Sequence, residues 1–488
     1  MTFQEQMPLS VFAPLWKAFP YLQGCFSPWQ GHSLGDIAAS SYGTAANKTQ
    51  RTASQAVIDC MTAHTSTVLG TKAAAALGQS LHINNAVLSA NLHALDCLPE
   101  MAQAIHAFAL DRLALGQAGT VIPVLSCGGV SLQSQAYPRG LQSFRGDKPM
   151  RFPLFGSAWQ NKVELNTPAL TAQNLHDCAA RWGATLPYEQ RALEALLAQL
   201  LEPDSLKQTR FGDQITRANA WLCRQRFPDT QPLVVYLELE EIARQLLVRD
   251  LARPTSLIYR ILFMPTVRRA VLHGLADVRG CWSKQTAAGA ACSRTHSTGT
   301  VFFWAIDAKG RRCAMQLEEG RTAALLCPAM RLPFTPEALI QALQERRIYP
   351  GLFIAYMSLV YEHGLRCHGG IFLVHYLHTM LHCVHSVFTE HNEPLPPLPE
   401  PTALAAFALT VQTATEQGLA PSGALEMLAA GGLCHAQVQT MANTKLEDIL
   451  PLSLASWALE YCPAARSTAW GQELQKASQH WKGIVIHP

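Results

Sequence analysis

The chain has 488 residues, a formal net charge of +3, and only 15% charged against 49% apolar residues. That length predicts two or three domains with sizeable cores. The near-neutral charge, without a Lys/Arg block, argues against a nucleic-acid partner, and no uninterrupted apolar run reaches the ~18 residues of a bilayer span, so no membrane partner is expected. The N-terminus has neither a basic start nor a continuous apolar stretch, so it does not read as a secretory signal. Fourteen cysteines without a CxxC pair read as reduced thiols in a cytoplasmic protein. The expected fold class is mixed α/β (α+β), predominantly helical, with a short strand layer in the N-terminal unit and a β-hairpin near 299–318.

Residues 1–165 form a charge-poor α/β unit, rich in Ala, Ser, Thr, Asn and Gln. "NNAVLSANLHALDCLPEMAQAIHAFALDRLAL" reads as two helices broken near Pro99. Thr120 to Ser126 reads as a β-branched strand ended by Gly128-Gly129. Residues 166–393 form a second, helical unit. It contains "LPYEQRALEALLAQLLEPD" and "RFGDQITRANAWLCRQRF", then a short buried strand, Leu233 to Glu238, running into a helix. "PTSLIYRILFMPTVRRAVLHGL" follows as a helix that Thr255 or Ser256 can cap. Val301 to Ile306 and Arg312 to Leu317 flank a hairpin turn containing Asp307, Lys309 and Gly310. Thr335 and Pro336 are N-cap and N1 signals for the next helix. Gly351 to Glu362 reads as a helix stopped at Gly364, and a second helix starts after Gly369-Gly370 and ends near His391-Asn392. "EPLPPLPEP" is a stiff, extended connector. Residues 402–488 read as a small C-terminal helical unit.

The stretch from Tyr361 to Pro401 holds seven of the eighteen histidines. On a helix from Ile371 to Glu390, at about 100° per residue, His375, His378, His382 and His385 fall within an arc of roughly 80°. Neutral imidazoles at i and i+4 can share a metal, so His375, His378 and His382 are candidate ligands for a divalent transition metal. No Glu lies between them to make the zinc-protease pattern. Imidazoles lining a pocket can also relay protons near neutral pH, which makes His378 and His382 catalytic candidates. Individually hydrogen-bonded or surface histidines with no common role are the plainer reading.

A second uncharged polar face is expected near the N-terminus. His82, Asn85, Ser89, His93 and Asp96 recur at helical spacing, preceded by His64, and the Lys and Glu that usually solvate a surface helix are missing. A helix with a solvated polar side is the simpler alternative. "VLSCGGVSLQSQAYPRG" places Ser126, Cys127, Gly128 and Gly129 after a strand, where backbone N–H groups can approach a ligand. Ser126, Cys127 or Ser131 is a candidate nucleophile with His64 or His82 as base, and Arg139 a candidate anchor for a carboxylate or phosphate. This is not the GxSxG elbow, and a plain turn explains the glycines equally. Glu238, Glu240 and Glu241 can hold Mg²⁺ or act as a base, but acids in a first helical turn are also favoured by the helix dipole.

The functional expectation is an enzyme acting on a small polar metabolite, by group transfer, ligation or hydrolysis. Its pocket would be uncharged, with His82, His378, His382 and Ser126 catalytic and His64, Asn85, Ser89, Gly128, Gly129 and Arg139 binding the ligand. The alternatives are a metal-binding protein or metalloenzyme built on the histidine helix, and a non-catalytic scaffold or assembly subunit. The apolar composition leaves room for a homo-oligomer interface.

Overall fold

The computed structural model describes residues 9–43, 51–90, 92–132, 140–145, 148–182, 187–284, 299–320, 322–399, 403–416, 418–461, 468–479 and 481–487. At its centre is a five-stranded, all-parallel sheet. Its strands are β1 (Ala86–Ala90), β2 (Val121–Ser126), β3 (Leu233–Glu238), β4 (Arg366–Gly370) and β5 (Leu404–Ala406), ordered β5-β4-β1-β2-β3. β2 and β3 are apolar runs, VIPVLS and LVVYLE, as expected of parallel strands buried on both faces.

The helices around the sheet that matter for the site are α1 (Gln55–Leu69), α2 (Thr71–Ile83), α3 (Pro99–Ala114), α4 (Phe211–Arg226), α5 (Leu239–Leu251) and α6 (Ile371–Glu390). Ser54 caps α1, and its hydroxyl accepts the Val57 N–H. α1 turns into α2 through Gly70 at φ +90°, in the left-handed region that favours glycine.

Strand residues alternate between two cores, giving three layers. One face presents Leu88, Ile122, Val124, Val234 and Tyr236 to a core shared with α3, α4 and the C-terminal segment. The other presents Val87, Leu125, Val235, Leu237 and Cys367 to a core shared with α1, α2, α5 and α6. The fold is therefore mixed α/β and predominantly helical, as expected. The five strands come from all three sequence segments, 1–165, 166–393 and 402–488.

The hairpin near 299–318 is present: Phe303–Ile306 pairs antiparallel with Arg312–Ala314, and Trp304 lies opposite Ala314. Ser256 and Thr335 cap their helices as expected, accepting from Tyr259 N–H and Ala338 N–H. The helix read through 255–275 is broken in two at Met264-Pro265, because proline cannot donate within a helix and suits a first turn.

Two expectations need correction, and one strand is new. Residues 84–90 and 92–96 are not helical: α2 ends at Ile83, and Ala86–Ala90 is the central strand β1. Val87 and Leu88 are both buried, so an apolar run with neighbours on both faces outweighs the 3.6-residue spacing of the flanking polar residues. Arg366–Gly370 is a strand, β4, that precedes the histidine helix. Gly369 is small there for a reason: a Cβ on it would lie 2.7 Å from the Ser89 carbonyl of β1. The C-terminal segment is not purely helical. It adds β5 to the central sheet and builds a small sheet from Val411–Thr415, Gly418–Pro421 and Ile484–Ile486.

α6 is 20 residues long, and by length and mean hydropathy (1.3) it is apolar enough to cross a membrane. Half of that apolar stretch is buried inside the protein, with Leu377, Met380, Leu381, Val384 and Phe388 in the second core. It packs as a core helix does.

Candidate functional site

In an open parallel sheet, ligands bind at the carboxyl ends of the strands, where the strand order reverses. Here the reversal lies between β1 and β4, because chain order runs β1-β2-β3 outward on one side and β4-β5 on the other. A cavity of about 350 Å³ opens at that edge, within the range of ~300–1,000 Å³ for small-molecule sites. Cys127 and Gly129 come to it from the turn after β2. Glu240 comes from the start of α5, and Phe372 and Tyr376 from the first turns of α6. Trp304 and Arg312 of the hairpin, together with Arg279, form the rest of its polar and aromatic wall.

Both arginines lie over aromatic rings. Arg279 stands 3.5 Å from the Phe372 ring centre, and Arg312 stands 4.6 Å from that of Trp304. Arg312 Nη1 also donates to the Gly129 carbonyl at 2.7 Å. Planar guanidinium groups held in this way present a fork suited to a carboxylate or phosphate. Glu240 is buried behind the Gly128-Gly129 turn that Arg312 also contacts. Its Oε2 and Oε1 accept the Gly128 and Gly129 N–H groups at 2.9 and 3.0 Å. Burial pushes its pKa up to about 7 despite those bonds. The Cys127 thiol is held well above its ordinary pKa, by burial first and then by the Glu240 charge, so it is a neutral thiol.

Behind the Cys127-Gly128-Gly129 turn lies a buried polar cluster. It contains His93 from the loop after β1, Glu164 from a short 3₁₀ turn (Glu164–Asn166) and Glu238, the last residue of β3. One donor atom from each lies within 4.8 Å of the others, so the group can hold a metal ion. His93 is fixed at both ring nitrogens: Nδ1 lies 2.7 Å from Ser126 Oγ, and Nε2 donates to the Gly212 carbonyl at 2.9 Å. Burial lowers the His93 pKa, which makes the ring neutral with Nδ1 as acceptor. Arg210 pairs with Glu238 and lies 3.8 Å from Asp213 Oδ1, which in turn contacts His64 Nε2 at 3.3 Å. Burial, then the Glu238 charge, raises the Glu164 pKa well above the carboxylate range. Its acid form is therefore favoured without a counter-ion.

The sequence-predicted residues scatter relative to this edge. Gly129 lines the cavity and Gly128 binds Glu240. Ser126 is fully buried on His93 and can also donate to the Leu237 carbonyl at 3.2 Å. His64 joins the same network through Asp213. Ser89 pairs with the Tyr356 hydroxyl at 2.7 Å. Asn85 binds the Arg51 and Gly364 carbonyls at the opposite edge of the sheet. His82 is exposed on the last turn of α2, and Asp96 is sealed in a buried ion pair with Arg226 at 2.7 Å. Arg139 lies outside the described residues.

His375, His378 and His382 are on the exposed side of α6. His375 stacks on Tyr21 at 4.5 Å, and the His378 and His382 rings are 4.1 Å apart. Half-buried His385 lies 2.9 Å from the Tyr361 hydroxyl. Phe372 and Tyr376, which do reach the cavity, sit roughly 100° away around the helix. The structure thus does not bring the histidine face and His82 into one pocket, and the cavity is lined by charged and aromatic groups. The sequence reading missed His93 as a cluster member, Glu164, Arg210, Arg279, Arg312 and Tyr376. Only Glu164 carried a local signal, an acid placed between Val163 and Leu165.

A second chain of side chains resembles a hydrolytic triad: Ser54 Oγ to His363 Nδ1 at 2.7 Å, and His363 Nε2 to Asp250 at 3.1 Å. Ser54 is occupied in capping α1, and Asp250 also receives Ser358 and Arg253. The group ties α1, α5 and the segment before β4 together at the amino-terminal edge of the sheet, away from the edge where such sheets bind ligands.

Comparison with known proteins finds no family whose pattern matches this chain and no curated protein similar to it. The sequence after β1, Ala90-Asn91-Leu92-His93, also lacks the glycines of a dinucleotide fingerprint.

Proposed function

We propose that this protein is an enzyme acting on a small anionic metabolite held in the cavity at the carboxyl edge of the sheet. The observation that carries this reading is the convergence, at the point of strand-order reversal, of two ring-supported guanidinium groups with an apolar and aromatic wall. Arg279 and Arg312 bind the anionic group, and Trp304, Phe372 and Tyr376 receive the body of the substrate. Glu240, with a pKa of about 7, is the acid–base group that faces it, beside the neutral Cys127 thiol. Group transfer, ligation and hydrolysis are all compatible with that set.

The test is a panel of mono- and dicarboxylates and phosphate esters, scored by thermal shift and confirmed by calorimetry. At least one anionic class is expected to stabilise the protein, and Arg312→Gln combined with Arg279→Gln should weaken that ligand at least tenfold, about 1.4 kcal/mol. A panel in which no carboxylate or phosphate ester binds, while neutral or cationic analogues added as controls do or nothing does, would sink this reading.

A further inference from the structure

We propose that His93, Glu164 and Glu238 form a site for one first-row divalent cation, distinct from the cavity and independent of the function proposed for it. The three side chains are 0%, 0% and 2% exposed, and outside the Glu164–Glu238 pair itself both Glu164 oxygens and Glu238 Oε1 have no hydrogen-bond partner among the described residues. Buried carboxylate oxygens normally have partners, and an unpaired one is costly. Arg210 satisfies only the other oxygen of Glu238, so two buried carboxylates face one cation.

The backbone leaves room around these oxygens. A Cβ on Gly212 would fall 2.6 Å from Glu238 Oε1 and 2.8 Å from Glu164 Oε1, and one on Gly128 would fall 2.6 Å from Glu164 Oε2. Two glycines from different elements therefore clear the same group. One imidazole nitrogen is held as in a metal ligand, by the Gly212 carbonyl, while the other now meets Ser126. A ligating histidine normally keeps its second ring nitrogen bonded to a carbonyl or another polar group, which fixes its orientation. His93 has such partners on both sides, Gly212 O and Ser126 Oγ. If Nδ1 turns to the ion, Ser126 retains the Leu237 carbonyl as its acceptor.

One imidazole and two carboxylates suit Mn²⁺, Fe²⁺ or Zn²⁺, whereas Ca²⁺ prefers all-oxygen shells and Cu⁺ prefers sulfur. The turn that covers the site, Gly128-Gly129, also binds Glu240, so the site supports one wall of the cavity.

The experiment uses the full chain, stripped with chelator and then equilibrated separately with Mn²⁺ and Zn²⁺. Metal content is read by elemental analysis and affinity by calorimetry in two buffers of different ionisation enthalpy. The expected result is one equivalent of at least one of the two ions. Glu164→Gln should weaken it at least a hundredfold, and His378→Ala with His382→Ala, which removes the exposed imidazole pair, should leave it unchanged. His93→Gln replaces Glu164→Gln if that variant does not fold. The proposal is overturned if neither ion binds stoichiometrically, if binding survives the variant at the buried site, or if it disappears with the surface histidines.

Discussion

His368, in the middle of β4, shows what burial does to an ionisable group in this sheet. It is 3% exposed, its Nδ1 accepts the Ala403 N–H at 3.0 Å, and its ring meets Tyr42 edge-on at 5.1 Å. Burial, then the charge of Arg366, drives its pKa down to about 3, whereas in the unfolded chain it returns to about 6.5. The folded value is the lower one, so the stability at stake is fully present above pH 6.5 and is lost as pH falls from there toward 3. At pH 5 the loss is about 2 kcal/mol. His368→Asn keeps an acceptor for Ala403 N–H but cannot titrate. The stability gap between wild type and variant, measured by urea denaturation, is therefore expected to shrink by about that amount between pH 7.5 and 5; a gap independent of pH would show that His368 is not the titrating group. The exposed His378 behaves differently. Partial burial and the nearby imidazoles of His382 and His375 lower its pKa, but its surface position gives it little leverage on folding.

At the scale of elements, β4 and β1 meet at Gly369 and Ser89. Gly369→Ala would set a Cβ 2.7 Å from the Ser89 carbonyl and 2.5 Å from Leu373 Cδ2. The Leu373 side chain can rotate aside, but the β1 backbone cannot without loosening the centre of the sheet. A destabilisation of about 1–3 kcal/mol is expected, the range for overpacking a tight interior, and a chemical denaturation curve checks it. A change below 0.5 kcal/mol would mean that the strands separate freely. The same pair shows which elements sequence could reveal. β2 and β3 were legible because VIPVLS and LVVYLE are apolar runs bounded by turn or helix signals. RCHGG carries no such pattern, since its strand character comes from its neighbours: β1 on one side and β5, a segment from beyond the proline connector, on the other. The site was legible in the same partial way. Gly128-Gly129 and the acids at the end of β3 are local signals, and both lie at the edge of the cavity. Glu164 shows only as an acid between two apolar residues, and Arg210, Arg279 and Arg312 join the site only through the fold; no spacing along the chain encodes that proximity. The histidine face of α6 misled for a related reason: periodicity identifies one face of a helix without saying whether solvent or a pocket lies against it.

The molecule as a whole is built so that its last segment completes both the sheet and one of its cores. β5 pairs with β4, and Val411, Leu425, Leu446, Ile449 and Leu450 share a core with Ile105, Phe108 and Leu113 of α3. Gln103 of α3 fastens the two together and is 1% exposed. Its Nε2 donates to the Val411 and Ser422 carbonyls at 2.9 Å each, and its Oε1 accepts from Thr410 N–H and Val411 N–H at 2.6 and 2.9 Å. Residues 393–399, between α6 and β5, are proline-rich, and Leu395 and Leu398 there pack against the second core and not against α3. A chain of residues 1–393 would expose the apolar face of α3 and leave all four of these Gln103 bonds unmade. Such a fragment is expected to show no cooperative thermal transition, while the full chain unfolds in one. Proteolytic cleavage within residues 393–399 provides the complementary measurement. The two pieces should remain together in gel filtration and separate only in denaturant, because their contacts lie in the sheet and the α3 core and not in the connector. A fragment 1–393 that melts sharply, or nicked pieces that part in buffer, would show that the C-terminal segment is a separate folding unit and that the sheet is complete without it.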